Sequence, residues 1–146
     1  MAVMHIQIDE GIRSILIVED EMIVAMLMEQ LVRELGVEDV YLCADAATAL
    51  DVVADKAIDF AVLDMNVRDG TTEAVADALA GKGIPFVLSS GSDVGALPER
   101  HGHRPMVSKP FLDDDLKLVI LDTWMLHSTA SGGGRGERVA TSGASD

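Results

Sequence analysis

The sequence predicts an α/β domain built on a parallel β-sheet with helices wound on both faces. Three features carry this expectation. Short continuous apolar runs of strand length recur along the chain, as in SILIV, FAVL and PFVLS. Segments of helical periodicity separate them, and glycines or prolines mark the junctions. Alternating strands and helices imply crossover connections, and crossovers make neighbouring strands parallel.

The elements follow in order. Ser14 to Val18 is apolar throughout, which suits a strand buried on both faces. Met22 to Leu35 has helical spacing, with Val24, Leu27, Met28, Leu31 and Leu35 on one face and Gly36 where a helix stops. Asp39 to Cys43 is short and β-rich. Ala46 to Asp55 is alanine-rich and helical, with Asp45 as its N-cap candidate. Phe60 to Leu63 is a third strand. Thr72 to Ala80 is a helix stopped by Gly81 and Gly83, and Pro85 to Ser89 is a fourth strand. Gly91 to Pro105 is broken by glycine and proline, so its helix is expected to be short or irregular. Met106 to Ser108 is a brief fifth strand. Leu112 to Leu126 is a long last helix with Asp113, Asp114 and Asp115 in its first turn, where the helix dipole favours acids. Its core face is Leu116, Val119, Ile120 and Thr123, and Leu118, Leu121 and Met125 form a second apolar stripe.

With 146 residues, one domain is the expectation. It is bounded as residues 12–127, after a lead-in at 1–11 and before a Gly/Ser-rich tail at 128–146 expected to be disordered. The start MAVMHIQIDEG has neither a basic region nor an apolar core, so no signal peptide is expected. No apolar run approaches the ~18 residues of a membrane span. A soluble, cytoplasmic protein follows as the expectation. The single cysteine, Cys43, excludes an internal disulfide and is expected to be a small buried hydrophobe. His101 and His103 lie in a polar stretch and are expected to be solvated.

Charge narrows the function further. Eleven Lys and Arg face 25 Asp and Glu, a formal net charge of −14. That balance argues against binding nucleic acid through its phosphates and against docking on anionic lipid. One Trp, one Tyr and three Phe leave no stacking platform for single-stranded nucleic acid. An acidic surface does suit a divalent cation.

In a doubly wound sheet, ligands bind outside the carboxyl ends of the strands. There the sequence places Glu19, Asp20 and Glu21 after the first strand, Asp64 after the third, Ser89, Ser90 and Gly91 after the fourth, and Lys109-Pro110 after the fifth. Singly, each has an ordinary reading. The acids suit helix caps or turns, Ser90 a turn, and Lys109 a solvated surface position. Together they form a crevice of converging carboxylates whose mutual repulsion a hard cation would relieve. Mg²⁺ takes one or two carboxylates, waters and phosphate oxygens, so Asp20 and Asp64 are candidate ligands, with Glu19 held behind them. Lys109 and Ser90 are equipped to contact a phosphoryl group, and Asp64 to accept one as an acyl phosphate.

These segments, ILIVEDE at 15–21, AVLDMNV at 61–67, PFVLSSG at 85–91 and VSKPF at 107–111, resemble the receiver domains of two-component response regulators. The order and spacing match across residues 12–127. The resemblance implies a flavodoxin-like five-stranded parallel sheet of order 2-1-3-4-5, flanked by about five helices. It implies Asp64 as phosphoacceptor, Glu19 and Asp20 as the Mg²⁺-holding acids, and Asn66 as the residue whose backbone carbonyl completes the metal shell. Ser90 and Lys109 then contact the phosphoryl group, and Pro110 follows a peptide bond that is often cis. The aromatic residue that many receivers carry three positions before the lysine is Met106 here, and the loop after Asp64 is short and lacks the usual proline. PFVLSSG together with LPER at 97–100 resembles stand-alone alphaproteobacterial receivers, often paired with sensor histidine kinases of the HWE or related type.

The implied function is that of a single-domain response regulator. It takes a phosphoryl group from a sensor histidine kinase and passes the signal on by contact with a downstream protein or by transfer to a histidine phosphotransferase. Its implied partner surface is the fourth helix, fifth strand and last helix, used as a monomer or in a phosphorylation-dependent dimer. It is a phosphoacceptor rather than an enzyme. Two alternatives stand beside this. One is a binding module of the same fold that is never phosphorylated. The other is an Asp-dependent phosphohydrolase, suggested by LDMNVRDGT, which fails because Asn66 replaces the required second acid and the string lies on the third strand.

Overall fold

A computed structural model describes residues 11–91 and 99–135. The chain order is β1 (Ser14–Val18), α1 (Met22–Glu34), β2 (Asp39–Cys43), α2 (Ala46–Asp55), β3 (Phe60–Asp64), β4 (Asn66–Val67), β5 (Gly70–Thr71), α3 (Glu73–Gly81), β6 (Phe86–Ser90), β7 (Met106–Ser108) and α4 (Asp113–Arg135). A 3₁₀ turn at Glu99–His101 precedes β7. Five strands form one parallel sheet in the order β2-β1-β3-β6-β7. Once the small β4–β5 hairpin is set aside, this is the predicted 2-1-3-4-5 winding, a flavodoxin-like fold.

The strands are where the apolar runs predicted them. All five residues of β1, of β3 and of β6 are buried, because helices cover both faces of the sheet. Alternate residues feed two cores. Leu16, Val18, Ala61, Leu63, Phe86 and Leu88 pack under α2 and α3. Ile15, Ile17, Phe60, Val62 and Val87 pack under α1 and α4 with Met28, Leu31, Leu116 and Ile120. Cys43 is buried, and burial pushes its thiol up to about 11.

Helix ends follow local chemistry. Asp45 caps α2 as expected, accepting from the Thr48 N–H at 2.8 Å. Gly36 and Gly83 each end a helix with positive φ, +100° and +72°. After α1, Gly36 N donates to Arg33 O and Val37 N to Val32 O, the paired bonds that satisfy the last carbonyls. The α3 end repeats this through Gly83 and Ile84.

Several expectations are corrected. The inward face of α1 centres on Ala25, Met28, Leu31 and Val32, with Val24, Leu27 and Leu35 only partly buried. Four α-helices and the 3₁₀ turn are described where about five helices were expected. The stretch with Gly95 and Pro98 lies outside the described residues. The last helix does not end near Leu126 but runs to Arg135. Ser128 to Ser131 contain no helix-breaking residue, and adding residues to a formed helix needs no new nucleus. Residues 1–10 and 136–146, the lead-in and the rest of the tail, lie outside the described residues. On α4, Leu116 and Ile120 are fully buried as expected, while Leu118 and Met125 are exposed. None of the described helices is long and apolar enough to cross a membrane.

His101 is not solvated. It is buried, its Nε2 lies 2.8 Å from Asp77 Oδ1 on α3, and its ring meets Phe86 edge-on. Neighbouring Arg100 spans Asp77 and Glu73, at 2.8 and 2.6 Å. Arg100 first, and His101 second, hold the Asp77 carboxyl well below the usual carboxylate range. A depressed carboxyl stabilises the fold above its unfolded value of 3.8, and that stability is lost as pH falls through the lower folded value. This tie therefore outlasts ordinary carboxylate contacts on acidification. Asp77→Ala is expected to raise amide exchange at residues 99–104 by about tenfold while β1 and β3 keep their protection, measured by hydrogen exchange at neutral pH.

Candidate functional site

The carboxyl ends of β1, β3, β6 and β7 meet along one edge of the sheet, and they bring Glu19, Asp64, Ser90 and Lys109 there together. Register explains the convergence. Val18 pairs with Leu63, so Glu19, one step past β1, lies beside Asp64, the last residue of β3. Asp64 pairs with Ser89, and Ser90 with Ser108, which sets Lys109 one step beyond. Ser90 is the last residue of β6 rather than a loop residue, and it is buried. Its carbonyl accepts from Lys109 N at 2.7 Å. The Lys109–Pro110 peptide bond is cis.

None of the acids after β1 caps α1. Glu21 stands at the N-cap and makes no side-chain capping bond. Glu19 is buried at 2% exposure, which is costly for a carboxylate without compensation. The compensation is local. Glu19 Oε2 accepts from Glu21 N at 3.0 Å, and Glu19 Oε1 lies 2.6 Å from Lys109 Nζ. Lys109 Nζ also reaches Asp64 Oδ2 at 3.0 Å. The lysine therefore bridges two acids from different strands, and its tighter contact is to Glu19, which sequence reasoning left unpaired with it.

The electrostatics follow from this geometry. Burial raises Glu19 above the ordinary glutamate value, and the Asp64 charge adds to it, against the lowering bonds from Lys109 and Glu21 N. For Lys109, burial works downward, but the bonds to Glu19 and Asp64 together hold the ammonium above its usual value. The crevice sets three acidic side chains around one lysine. Glu19, Asp20 and Asp64 each present an oxygen, all within 4.8 Å of one another. Three hard oxygen donors at this spacing, with one lysine between two of them, fit a small divalent cation such as Mg²⁺.

Asn66, two residues after Asp64, is exposed. Its N–H donates to Asp64 Oδ1 at 3.3 Å, and it opens the β4–β5 hairpin, pairing with Thr71. Two supporting residues escaped the sequence reading. Buried Thr72 donates its Oγ1–H to the Asp64 carbonyl at 2.8 Å, fixing the backbone that presents the carboxylate. Asp69, at the hairpin tip, accepts from Ala46 N at 2.8 Å and Ala47 N at 3.2 Å on α2. The signal for the hairpin was the Asp69-Gly70 dipeptide between short β-prone residues. Nothing local signals the long-range bond to α2. Met106, three residues before Lys109, opens β7 and is 42% exposed.

Comparison with known proteins places this crevice in context. No protein-family model and no curated protein matches the chain. Solved structures do. SdrG from Sphingomonas melonis Fr1 superposes with a TM-score of 0.69 at 37% identity, over 78% of this chain and 97% of that one. The REC domain of the PhyR response regulator from Erythrobacter litoralis has a TM-score of 0.67 at 27% identity, over 80% of this chain and 93% of that one. A BeF3-activated conformation of SdrG has a TM-score of 0.64 at 38% identity, over 76% of this chain and 95% of that one.

Proposed function

The chain belongs to the response-regulator receiver domains, and on that premise we propose that it accepts a phosphoryl group on Asp64 from a sensor histidine kinase. The observation that carries this reading is the Asp64 carboxylate itself. It is held at a strand end with Oδ2 on the Lys109 ammonium at 3.0 Å and the Glu19 and Asp20 oxygens within 4.8 Å. An Asp oxygen attacks phosphorus, the P–N bond of the donor phosphohistidine breaks, and the imidazole leaves with the electron pair and takes up a proton. The product is an acyl phosphate on Asp64, which is consumed as acceptor rather than turned over as a catalyst.

Asp20 and Asp64, with the Asn66 carbonyl, would hold Mg²⁺, and Glu19 would support it from behind. The cation supplies charge neutralisation between the acids and the incoming phosphoryl oxygens. Lys109 and Ser90 do the rest with this chain's own atoms. The ammonium is already on the reacting carboxylate, and the Ser90 hydroxyl stands at the end of the neighbouring strand. Capture of the phosphoryl group by these two would draw on the β6 end and the segment after it, and so shift a two-state equilibrium there. The signal would leave through the face that includes β7 and α4, where Met106, Leu118 and Met125 are exposed. The recipient would be a downstream protein or a histidine phosphotransferase. The kinase type is proposed as HWE-like, on the sequence resemblance at 85–91 and 97–100.

Intact-protein mass after incubation with acetyl phosphate tests the reading. One labile phosphoryl group is expected with Mg²⁺ present, and none with excess EDTA or in Asp64→Asn. Unmodified wild type, alongside a control receiver that is modified and with no response to beryllofluoride, would favour a binding module that works without phosphorylation.

A further inference from the structure

The β4–β5 hairpin is too small to hold its own shape. Each strand has two residues, and isolated hairpins are marginal in water even when longer. It buries only Val67, while Asn66, Arg68, Asp69, Gly70 and Thr71 are exposed. Its base is fixed by Asn66 N on Asp64 Oδ1 and by Thr72 Oγ1 on the Asp64 carbonyl. Its tip is fixed elsewhere. The Asp69 carboxylate spans two N–H groups of the first turn of α2, one per oxygen, at 2.8 and 3.2 Å.

Helix α2 is a firm anchor. Ala49 and Val53 are buried in the core, and the helix has its own cap in Asp45, which serves the Thr48 N–H. The first turn of α2 therefore presents donors that Asp69 reaches from 23 residues away. A carboxylate on helix N-terminal N–H groups is a charge-assisted contact in the orientation the helix dipole favours. Asp69 thus clamps a loop that begins at Asp64 and carries Asn66.

We propose that Asp69 is a positioning residue for the metal site: by docking the hairpin tip on α2, it holds the Asn66 backbone where its carbonyl completes the Mg²⁺ shell. The inference rests on the Mg²⁺-dependent phosphoacceptor reading and extends it to a residue outside the crevice. Groups that orient ligands from behind commonly govern metal affinity, and losing one costs on the order of tenfold or more.

The test is a Mg²⁺ titration of the full chain without any phosphodonor, followed through backbone amide resonances, with thermal unfolding measured in parallel. Four proteins are compared: wild type, Asp69→Ala, Asp69→Asn and Asp45→Ala. Asp69→Ala is expected to weaken Mg²⁺ binding about tenfold. Asp69→Asn loses the charge but keeps one acceptor oxygen, and is expected to stay within about threefold of wild type, since Asn serves well at helix N-termini. Asp45→Ala removes a neighbouring charge and the local cap of the same helix. It is expected to lower the melting temperature and leave Mg²⁺ affinity unchanged. An unchanged affinity in Asp69→Ala overturns the assignment. So does an Asp69→Asn protein as weak as Asp69→Ala, which would make the effect one of charge, or an Asp45→Ala protein equally weakened, which would make it one of helix stability. A wild-type chain that binds no Mg²⁺ overturns the phosphoacceptor reading, and this inference with it.

Discussion

Replacing Lys109 with methionine is expected to destabilise the metal-free protein by about 3 kcal/mol at neutral pH, and to steepen the response of the site to Mg²⁺ and pH. The ammonium is the counterion of two acids at once, 2.6 Å from Glu19 and 3.0 Å from Asp64. The Glu19 side chain is fully buried and the lysine only 17% exposed, so water replaces little of what is lost. Removing one partner of a buried pair leaves the other charge uncompensated, and that is the expensive outcome. Burial already raises Glu19, and without the Lys109 bond it rises further. A raised carboxyl holds a proton in the native state that the unfolded chain has released, so stability falls as pH climbs above the unfolded value of 4.5. Urea unfolding of Lys109→Met in EDTA should therefore show more stability at pH 5 than at pH 8. Wild type should show a shallower fall over the same range, because its lysine offsets the Glu19 charge. Excess Mg²⁺ should return most of the lost stability to the variant and stabilise it more than wild type, because the stability that a ligand adds to the native state grows with the logarithm of its affinity. Equal Mg²⁺ responses in the two proteins would mean that the three carboxylates do not share one cation.

The reach of the sequence is set by how locally each feature is determined. The five sheet strands were legible because a strand buried on both faces is a continuous apolar run, and such runs stand out between turn residues. The site residues were legible for a topological reason, since a parallel sheet puts every strand's carboxyl end on one edge. What that rule does not give is pairing. Glu19 was placed at the edge, but its contact with Lys109 depends on a register between strands far apart in sequence. The inward face of α1 was read only in part: Val24, Leu27, Met28, Leu31 and Leu35 all pack on the core, but Ala25 and Val32 were missed, because Met22, Ile23 and Met26 are apolar yet exposed, 57–83%, which blurs the helical period. His101 looked solvated because its sequence neighbours are polar, while its partner Asp77 is 24 residues away. Asp69 was hidden in the same way: a turn Asp-Gly is visible, but the helix N-terminus that its carboxylate meets is not. The last helix ran past its expected end because a Gly/Ser-rich composition marks weak helix formers, not a stop.

Phe60→Ala is expected to cost about 3–5 kcal/mol, the range for truncating a fully buried aromatic. Against a total of about 5–15 kcal/mol for a domain of this kind, that is enough to bring unfolding close to physiological temperature. Phe60 is fully buried at the start of β3, beside Ile15 on β1, in the core that also holds Val62, Val87, Leu116 and Ile120. Its ring meets Trp124 of α4 edge-on, with centroids 6.4 Å apart. Truncation therefore removes the wedge between the sheet and the last helix, leaving a cavity that two independently anchored elements can close only by shifting. Trp124 is the chain's single tryptophan, so its emission reports this contact directly. Urea unfolding followed by that emission should show a lowered midpoint with an unchanged slope, the mark of lost stability without a change in the surface exposed. Phe60→Leu keeps most of the volume and should cost roughly 1 kcal/mol. The site offers the second half of the test. Asp64 is four residues further along the same strand, roughly 13 Å at the usual rise, and none of its bonding partners belongs to this core. Folded Phe60→Ala should therefore bind Mg²⁺ as wild type does. A weakened affinity there would mean that the crevice depends on how α4 is seated, and would make the last helix, rather than the strand ends alone, part of what holds the carboxylates together.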